Sequence, residues 1–318
     1  MKNFEKILEN LKKEKTFNRI FQIKTKEIIL NNLPEKYSQF KNQKLIFIDD
    51  KILEKTAIFN ISRKKRPQPT KEAQEQQEDP FCRYETETPI DEIGRLENNF
   101  SITASNLSKM ADYHSLVIFK KHNFEEIKEK DFVSSINLAE SWFEKIENFD
   151  KEIKNKILIW NHHFRSGASI LHPHFQLLAY KHTPIAINEF KIKLENYQKK
   201  FKRSYFQDYF NLMKKANLGI EKNRLKIWFS LTPEKEKGLN FHGDLFKNAK
   251  FLWKIIQNLI KENVKAFNIF YLLDLKYGFF VDRGEINKLN SDFGSLEIFG
   301  IKIISSDPFE LSKKIFKN

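Results

Sequence analysis

Trp160-Asn161-His162-His163-Phe164-Arg165-Ser166-Gly167-Ala168-Ser169-Ile170-Leu171-His172-Pro173-His174-Phe175-Gln176 is the stretch on which the reading of this chain turns. Its second part alternates. On a strand, side chains two apart share a face, so His172, His174 and Gln176 fall together, and Leu171, Pro173, Phe175 and Leu177 fall opposite. Ser169 to Tyr180 is therefore predicted as one long strand, polar on one side and apolar on the other. Pro173 has no N–H to give a ladder and marks an edge or an irregular place in the sheet. Arg165 to Ser169 reads as a small-residue turn, where backbone N–H groups and hydroxyls can approach an anion closely. Three roles suit this stretch. A neutral imidazole whose other nitrogen is held by a carbonyl can attack phosphorus, while Ser169 and Gln176 donate to phosphoryl oxygens. Two histidines at i and i+2 on a strand can ligate zinc. A structural pair needs neither. The residues alone leave all three open.

Outward from this stretch the pattern is regular. Ser115 to Phe119 and Lys156 to Trp160 read as strands. Between them Phe132, Ile136, Ala139, Phe143 and Ile146 recur at helical spacing and predict a helix over 128–149. Ile187 to Lys215 reads as one long charged helix. The second half repeats the order, with strands over 225–231, 267–273, 279–282 and 296–304 and a helix over 245–260. The chain closes on a helix, with Asp307 as N-cap, Pro308 at its first position and Glu310 completing a capping box. Residues 2–31 carry helical spacing, Lys44 to Phe47 and Ala57 to Ile61 read as strands, and Arg63 to Asp79 is a polar loop. The fold class is α+β: two related halves, each a mostly antiparallel sheet with helices packed on it. The first spans residues 1–190 with a helical N-terminal extension, and the second spans residues 191–318.

Composition bounds the function. The chain has 318 residues, 31 Phe and only 9 Gly, which excludes disordered and collagen-like classes. Lys and Arg exceed Asp and Glu by 14, so polyanions are candidate partners, from nucleic acid to phosphorylated small molecules. Lys-rich surface composition accounts for such an excess equally well. A single Cys, Cys82, excludes a disulfide framework and fits a reducing compartment. The chain starts without the apolar core of a signal peptide and has no apolar run near the ~20 residues that span a bilayer. The expectation is a cytoplasmic protein with no membrane partner.

His172-Pro173-His174-Phe175-Gln176, preceded by Gly167-Ala168-Ser169 and by Asn161, resembles the active-site signature of galactose-1-phosphate uridylyltransferases, the nucleotidyltransferase branch of the histidine-triad superfamily. Four further segments match in order. Arg63-Lys64-Lys65-Arg66-Pro67 is similar to an Arg-x-Lys-Arg-Pro element. Asp79-Pro80-Phe81-Cys82 with Glu85, Thr88-Pro89 and Glu92-Ile93 is similar to the run Cys-Pro-Phe-Cys…Glu…Thr-Pro…Glu-Ile. Asn98-Asn99-Phe100 and the segment Ser115 to His122 complete the set. The resemblance covers residues 57–190 well and implies a ping-pong transfer. His174 matches the nucleophile that takes a nucleotidyl group from a nucleotide sugar, and His172 the histidine beside it. Ser169 and Gln176 match residues that hold phosphoryl oxygens, Asn161 matches a residue near the α-phosphate, and Gly167 of the signature counts among the substrate-binding residues. Asn98 and Asn99 match ribose and base contacts. Arg63 and Arg66 match arginines that reach nucleotide phosphates across a homodimer interface, where a bidentate guanidinium suits the ligand better than an amine. Taken alone, Arg63 to Arg66 reads best as a solvated loop, with a basic targeting or nucleic-acid patch as the other reading; within the ordered set it reads as nucleotide-binding.

The departures are informative. The resemblance implies structural zinc on two Cys and two His; the matching positions are Asp79, Cys82, His122 and His172, so an Asp stands where the family has its first Cys. The family's second, His-x-His metal pair has no counterpart. Glu297 matches a sugar-contacting Glu, but the Gln expected after it is missing, so hexose specificity does not carry over. The reading that follows is a nucleotidyltransferase moving UMP or AMP between a nucleotide sugar and a sugar 1-phosphate. The alternative is a phosphorylase that cleaves ADP-glucose or a dinucleoside polyphosphate with inorganic phosphate. A non-catalytic basic nucleic-acid-binding protein is a third reading, against which the intact His174, Ser169 and Gln176 speak.

Overall fold

Two helices, α1 (Lys2–Lys12) and α2 (Lys15–Ile20), open the chain, and strand β1 (Phe21–Ile29) follows directly. The computed structural model describes residues 2–29, 42–59, 79–106, 110–286 and 301–316, so Arg63, Arg66 and Glu297 lie outside the described residues. The helical reading of residues 2–31 thus fails after Ile20: Phe21, Ile23 and Thr25 alternate with polar neighbours, a period of two that charge had masked. Next come β2 (Asn42–Asp50), β3 (Lys55–Phe59), α3 (Tyr84–Glu87), β4 (Ser101–Ser105), β5 (Tyr113–Phe119), α4 (Glu129–Phe149), β6 (Asn155–His162), β7 (His174–Tyr180), α5 (Ile185–Phe201) and α6 (Tyr205–Lys215). The second part of the chain adds β8 (Gly219–Lys222), β9 (Leu225–Phe229), β10 (Leu239–His242), α7 (Ala249–Lys261), β11 (Phe267–Leu272), β12 (Tyr277–Asp282), β13 (Ile301–Ile304) and α8 (Pro308–Ile315).

The described strands form two sheets. One has the order β1-β2-β3-β13, with β13 parallel to β3; the other has nine strands in the order β4-β5-β7-β6-β11-β12-β10-β9-β8. Within the large sheet one pairing pattern occurs twice. β4-β5-β7-β6 with α4 between β5 and β6 repeats as β9-β10-β12-β11 with α7 between β10 and β11. The two units share a seam, where β6 pairs antiparallel with β11 from Ile157↔Leu272 to His162↔Phe267. The sheet therefore runs unbroken from one unit into the other.

One face of the sheet is covered by α4 and α7. Phe132, Ile136, Ala139, Phe143 and Ile146 of α4 are all buried, as their spacing requires. The helix start is fixed by Asp131, whose Oδ2 accepts the Lys128 N–H at 2.7 Å. Beneath the helices lies an aromatic block centred on the seam. Trp160 stacks on Phe119 and meets Phe175 and Phe267 edge-on at 5.0 and 5.1 Å, and Phe132 stacks on Trp253 at 4.9 Å. Offset and edge-to-face packing of this kind explains where part of the large Phe content goes.

Two elements are shorter than the sequence suggests. The helix predicted over 187–215 is two helices, because Lys202 turns into the left-handed region (φ 55°) and Ser204 caps a new start with a bond from the Gln207 N–H. The strand predicted over 169–180 begins only at His174, with residues 169–173 bent ahead of it and Pro173 unable to donate. At the C-terminus Asp307 caps α8 as expected, accepting from the N–H groups of Phe309 and Glu310. Among the described residues no helix is long and apolar enough to cross a membrane.

Candidate active site

The face of the large sheet opposite α4 and α7 carries the polar residues of the signature. His174 and Gln176 alternate with the buried Phe175 and Leu177 on β7. Ile159 of β6 pairs with Gln176, and the same register continued by two residues sets Asn161 opposite His174. His174, Gln176 and Asn161 therefore share one face, as alternation predicts. His172 lies just before the strand and turns elsewhere.

His174 is buried, with Phe81 edge-on to its ring at 5.0 Å. Its Nδ1 donates to the carbonyl of His172 at 2.8 Å. Burial pushes its pKa down to about 4, so the ring is neutral at ordinary pH. With the proton on Nδ1, Nε2 holds a free lone pair. That is the tautomer a nucleophilic imidazole requires.

His172 belongs to a second group. Its Nε2 donates to the Phe119 carbonyl at 2.6 Å, and its Nδ1 lies 2.8 Å from Asp79 Oδ2. The same oxygen is 2.8 Å from His122 Nδ1, and Cys82 Sγ is 3.1 Å from both His122 Nδ1 and Asp79 Oδ2. All four ligand-type atoms lie within 4.8 Å of one another. Desolvation first, and then the Asp79 carboxylate, push the Cys82 thiol up to about 11. A carboxylate, a sulfur and a ring nitrogen already committed as a lone pair converge here, which favours a cation at their centre. A tetrahedral zinc with bonds of about 2.0–2.3 Å would place its ligand atoms roughly 3.3–3.8 Å apart. The donor set suits such an ion, though its 2.8 and 3.1 Å contacts would have to open slightly to admit one, and the Phe119 carbonyl is the outer partner that holds a ligating imidazole in the right tautomer. The structure thus separates the two histidines, with His172 in the metal-type cluster and His174 outside it.

The loop between β6 and β7 differs from expectation. The N–H groups of Ser166, Gly167 and Ala168 are engaged inside the turn, with the His163 and Phe164 carbonyls as acceptors. They are not presented to an anion; Ser169, next in the chain, is exposed. Gly167 sits at φ 90°, which suits glycine. His163 sits at φ 76° and ψ 155°, a region essentially reserved for glycine, and it costs a residue with a Cβ about 1–3 kcal/mol. His163→Gly is therefore expected to stabilise the fold by about 1 kcal/mol, after the extra unfolded-state entropy of glycine is subtracted. Urea unfolding checks this, and an unchanged or lower midpoint would refute it.

Asn98 is already committed. Its Oδ1 accepts from the N–H groups of Phe100 and Ser101 at 2.9 Å, and its Nδ2 donates to the Ser134 carbonyl at 2.9 Å. It shapes the turn, and the neighbouring Asn99 is exposed. Two residues at the site escaped the sequence reading. Asn268 of β11 donates to Asn161 Oδ1 at 2.6 Å and to the Ser166 carbonyl at 2.8 Å, and Arg283 in turn donates to Asn268. The second unit thus orients a site residue of the first. His114 of β5 is the other, with its Nε2 3.0 Å from Gln176 Oε1. Asn268 did signal itself as the one polar residue in an apolar run; His114 gave no signal.

The sheet order gives the chain a fold that solved uridylyltransferase-like proteins share. The chain is similar over 86% of its length to 98% of an ADP-glucose phosphorylase from Arabidopsis thaliana with bound ADP-glucose, at 16% identity and a TM-score of 0.65. A GalT-like protein from Arabidopsis thaliana is similar over 85% of this chain and 97% of its own, at 16% identity and TM-score 0.63. A uridylyltransferase is similar over 85% and 96%, at 10% identity and TM-score 0.58. No family model and no curated protein matches the sequence. At these identities the likeness is one of fold.

Proposed function

We propose that this chain is a nucleotidyltransferase that moves UMP or AMP from a nucleotide sugar to a second phosphate through a nucleotidyl-His174 intermediate. The observation that carries the reading is the buried, neutral His174, its Nδ1 proton held by the His172 carbonyl and its Nε2 lone pair free, beside Gln176 and Asn161. In the first step Nε2 attacks the α-phosphorus. An N–P bond forms, the bond from phosphorus to the bridging oxygen breaks, and sugar 1-phosphate leaves with that electron pair. In the second step a phosphate oxygen of the acceptor attacks, the N–P bond breaks, and the ring returns to its neutral form. Gln176, Ser169 and Asn161 donate to the phosphoryl oxygens as their charge shifts, and Gly167 lets the loop pass close to the α-phosphate. Asn99, on the turn shaped by Asn98, contacts the nucleoside. Arg63, Arg66 and Glu297 are assigned to phosphate and sugar by resemblance alone. So is a homodimer.

Asp79, Cys82, His122 and His172 would hold zinc. Its contribution is charge that binds four electron-rich groups and fixes the chain entering β7. A sugar 1-phosphate is the leading acceptor. Inorganic phosphate is the second reading, favoured by the fold likeness to the ADP-glucose phosphorylase across nearly all of that chain and by the missing Gln after Glu297. The test is mass spectrometry after incubation with UDP-glucose or ADP-glucose, followed by competition between phosphate and hexose 1-phosphates. A UMP or AMP adduct on the His174 peptide, discharged faster by a hexose 1-phosphate, is the expected result. Faster discharge by phosphate selects the phosphorylase, and no adduct from either donor overturns both readings. Steeply salt-dependent binding to DNA or RNA in its place would favour the nucleic-acid reading.

A further inference from the structure

We infer that His114 is the positioning residue that sets which end of the Gln176 amide faces the substrate. This rests on the reading above that Gln176 donates to a phosphoryl oxygen. His114 is fully buried on β5, on the same face of the sheet as Gln176, which pairs with Leu116 two residues further along. Its two ring nitrogens have distinct partners. Nδ1 accepts the Met110 N–H at 3.1 Å, so it carries no proton. In a neutral ring the proton is then on Nε2, which lies 3.0 Å from Gln176 Oε1 and donates to it. Asn106 Nδ2 stands 3.1 Å from Nε2; beside a ring that carries its proton on Nε2, that amide turns over to bring its oxygen to the ring.

The consequence falls on Gln176. A glutamine amide can present either its oxygen or its two N–H groups, and near a phosphoryl group only the N–H end is useful. With Oε1 held by the His114 Nε2–H, the NH₂ end is the one left for a ligand. A backbone N–H at Met110 thus fixes the His114 tautomer, and the tautomer fixes the glutamine. Without His114 the amide is free to turn its oxygen toward a phosphoryl oxygen, where the two repel.

Two substitutions separate this role from a merely structural one. Asn at 114 places an oxygen near the Nδ1 position and keeps the Met110 bond, but it cannot reach Gln176. Gln at 114 places an N–H near the Nε2 position and can reach it. The readout is the single-turnover rate of adduct formation on the full-length protein with UDP-glucose or ADP-glucose, whichever the wild type uses. His114→Asn is expected to slow it about tenfold or more, as expected for a misaligned transition-state donor, and His114→Gln to recover most of that loss. In a Gln176→Ala background, His114→Asn is expected to cost no more than about twofold further. Wild-type speed in His114→Asn, or equal slowing by His114→Asn with and without Gln176, overturns the inference. If Gln176→Ala alone runs at wild-type speed, the assigned role of Gln176 fails first, and that single variant reports it.

Discussion

His174→Ala is expected to form no nucleotidyl adduct and to lose turnover by on the order of 10⁵-fold, since the residue removed is the one that makes and breaks the covalent bond. What remains is binding and the donors around the phosphoryl group. The same variant decides between the roles the His-Pro-His stretch leaves open. His174 stands outside the Asp79–Cys82–His122–His172 cluster, so His174→Ala should keep whatever metal the wild type carries. Metal analysis and adduct mass on one preparation give both answers. Loss of metal in step with loss of adduct would mean that His174 is a ligand, and an adduct that survives would place the nucleophile elsewhere.

The second large effect concerns the cluster. One equivalent of zinc is expected per chain, lost in His122→Ala and in Cys82→Ala, and removal by a chelator is expected to destabilise the fold. With free zinc at about 1,000 times its dissociation constant, binding to the folded state alone contributes roughly 4 kcal/mol. For a chain of this size that corresponds to a fall in Tm of about 6 °C on chelation. The effect should be structural first, because His172 joins the segment before β7 to the carbonyl of Phe119 on β5. Asp79→Cys is expected to tighten zinc binding, since a thiolate suits zinc better than a single carboxylate oxygen. A chain with no bound zinc and an unchanged Tm in chelator would assign the cluster to hydrogen bonding alone.

The sequence made some features plain and hid others for physical reasons. Helix α4 was legible because its five apolar residues sit at helical spacing and its core face has no competing pattern. The shared face of His174 and Gln176 was legible because strand alternation leaves no freedom. The start of β7 was not, since Pro173 permits an extended chain without a ladder. The break between α5 and α6 was hidden because Lys202, neither Gly nor Pro, makes the left-handed turn. Pairing of β6 with β11 joins residues more than a hundred positions apart, which no local pattern encodes. Asn268 and His114 act through other side chains, so their roles become visible only when the partner is in place. The lone Asp in place of a Cys, by contrast, was readable, and the structure puts that Asp at the middle of the cluster.

The seam between β6 and β11 bears on how the protein behaves at low concentration. Asn161 and Asn268 meet across it, one from each repeated unit, yet they belong to a single polypeptide. Two separate chains meeting at such an edge would hold together only above their dissociation constant. Here the tether supplies an effective concentration that does not fall when the protein is diluted. The Asn161–Asn268 contact is therefore as complete in a nanomolar assay as in a concentrated stock.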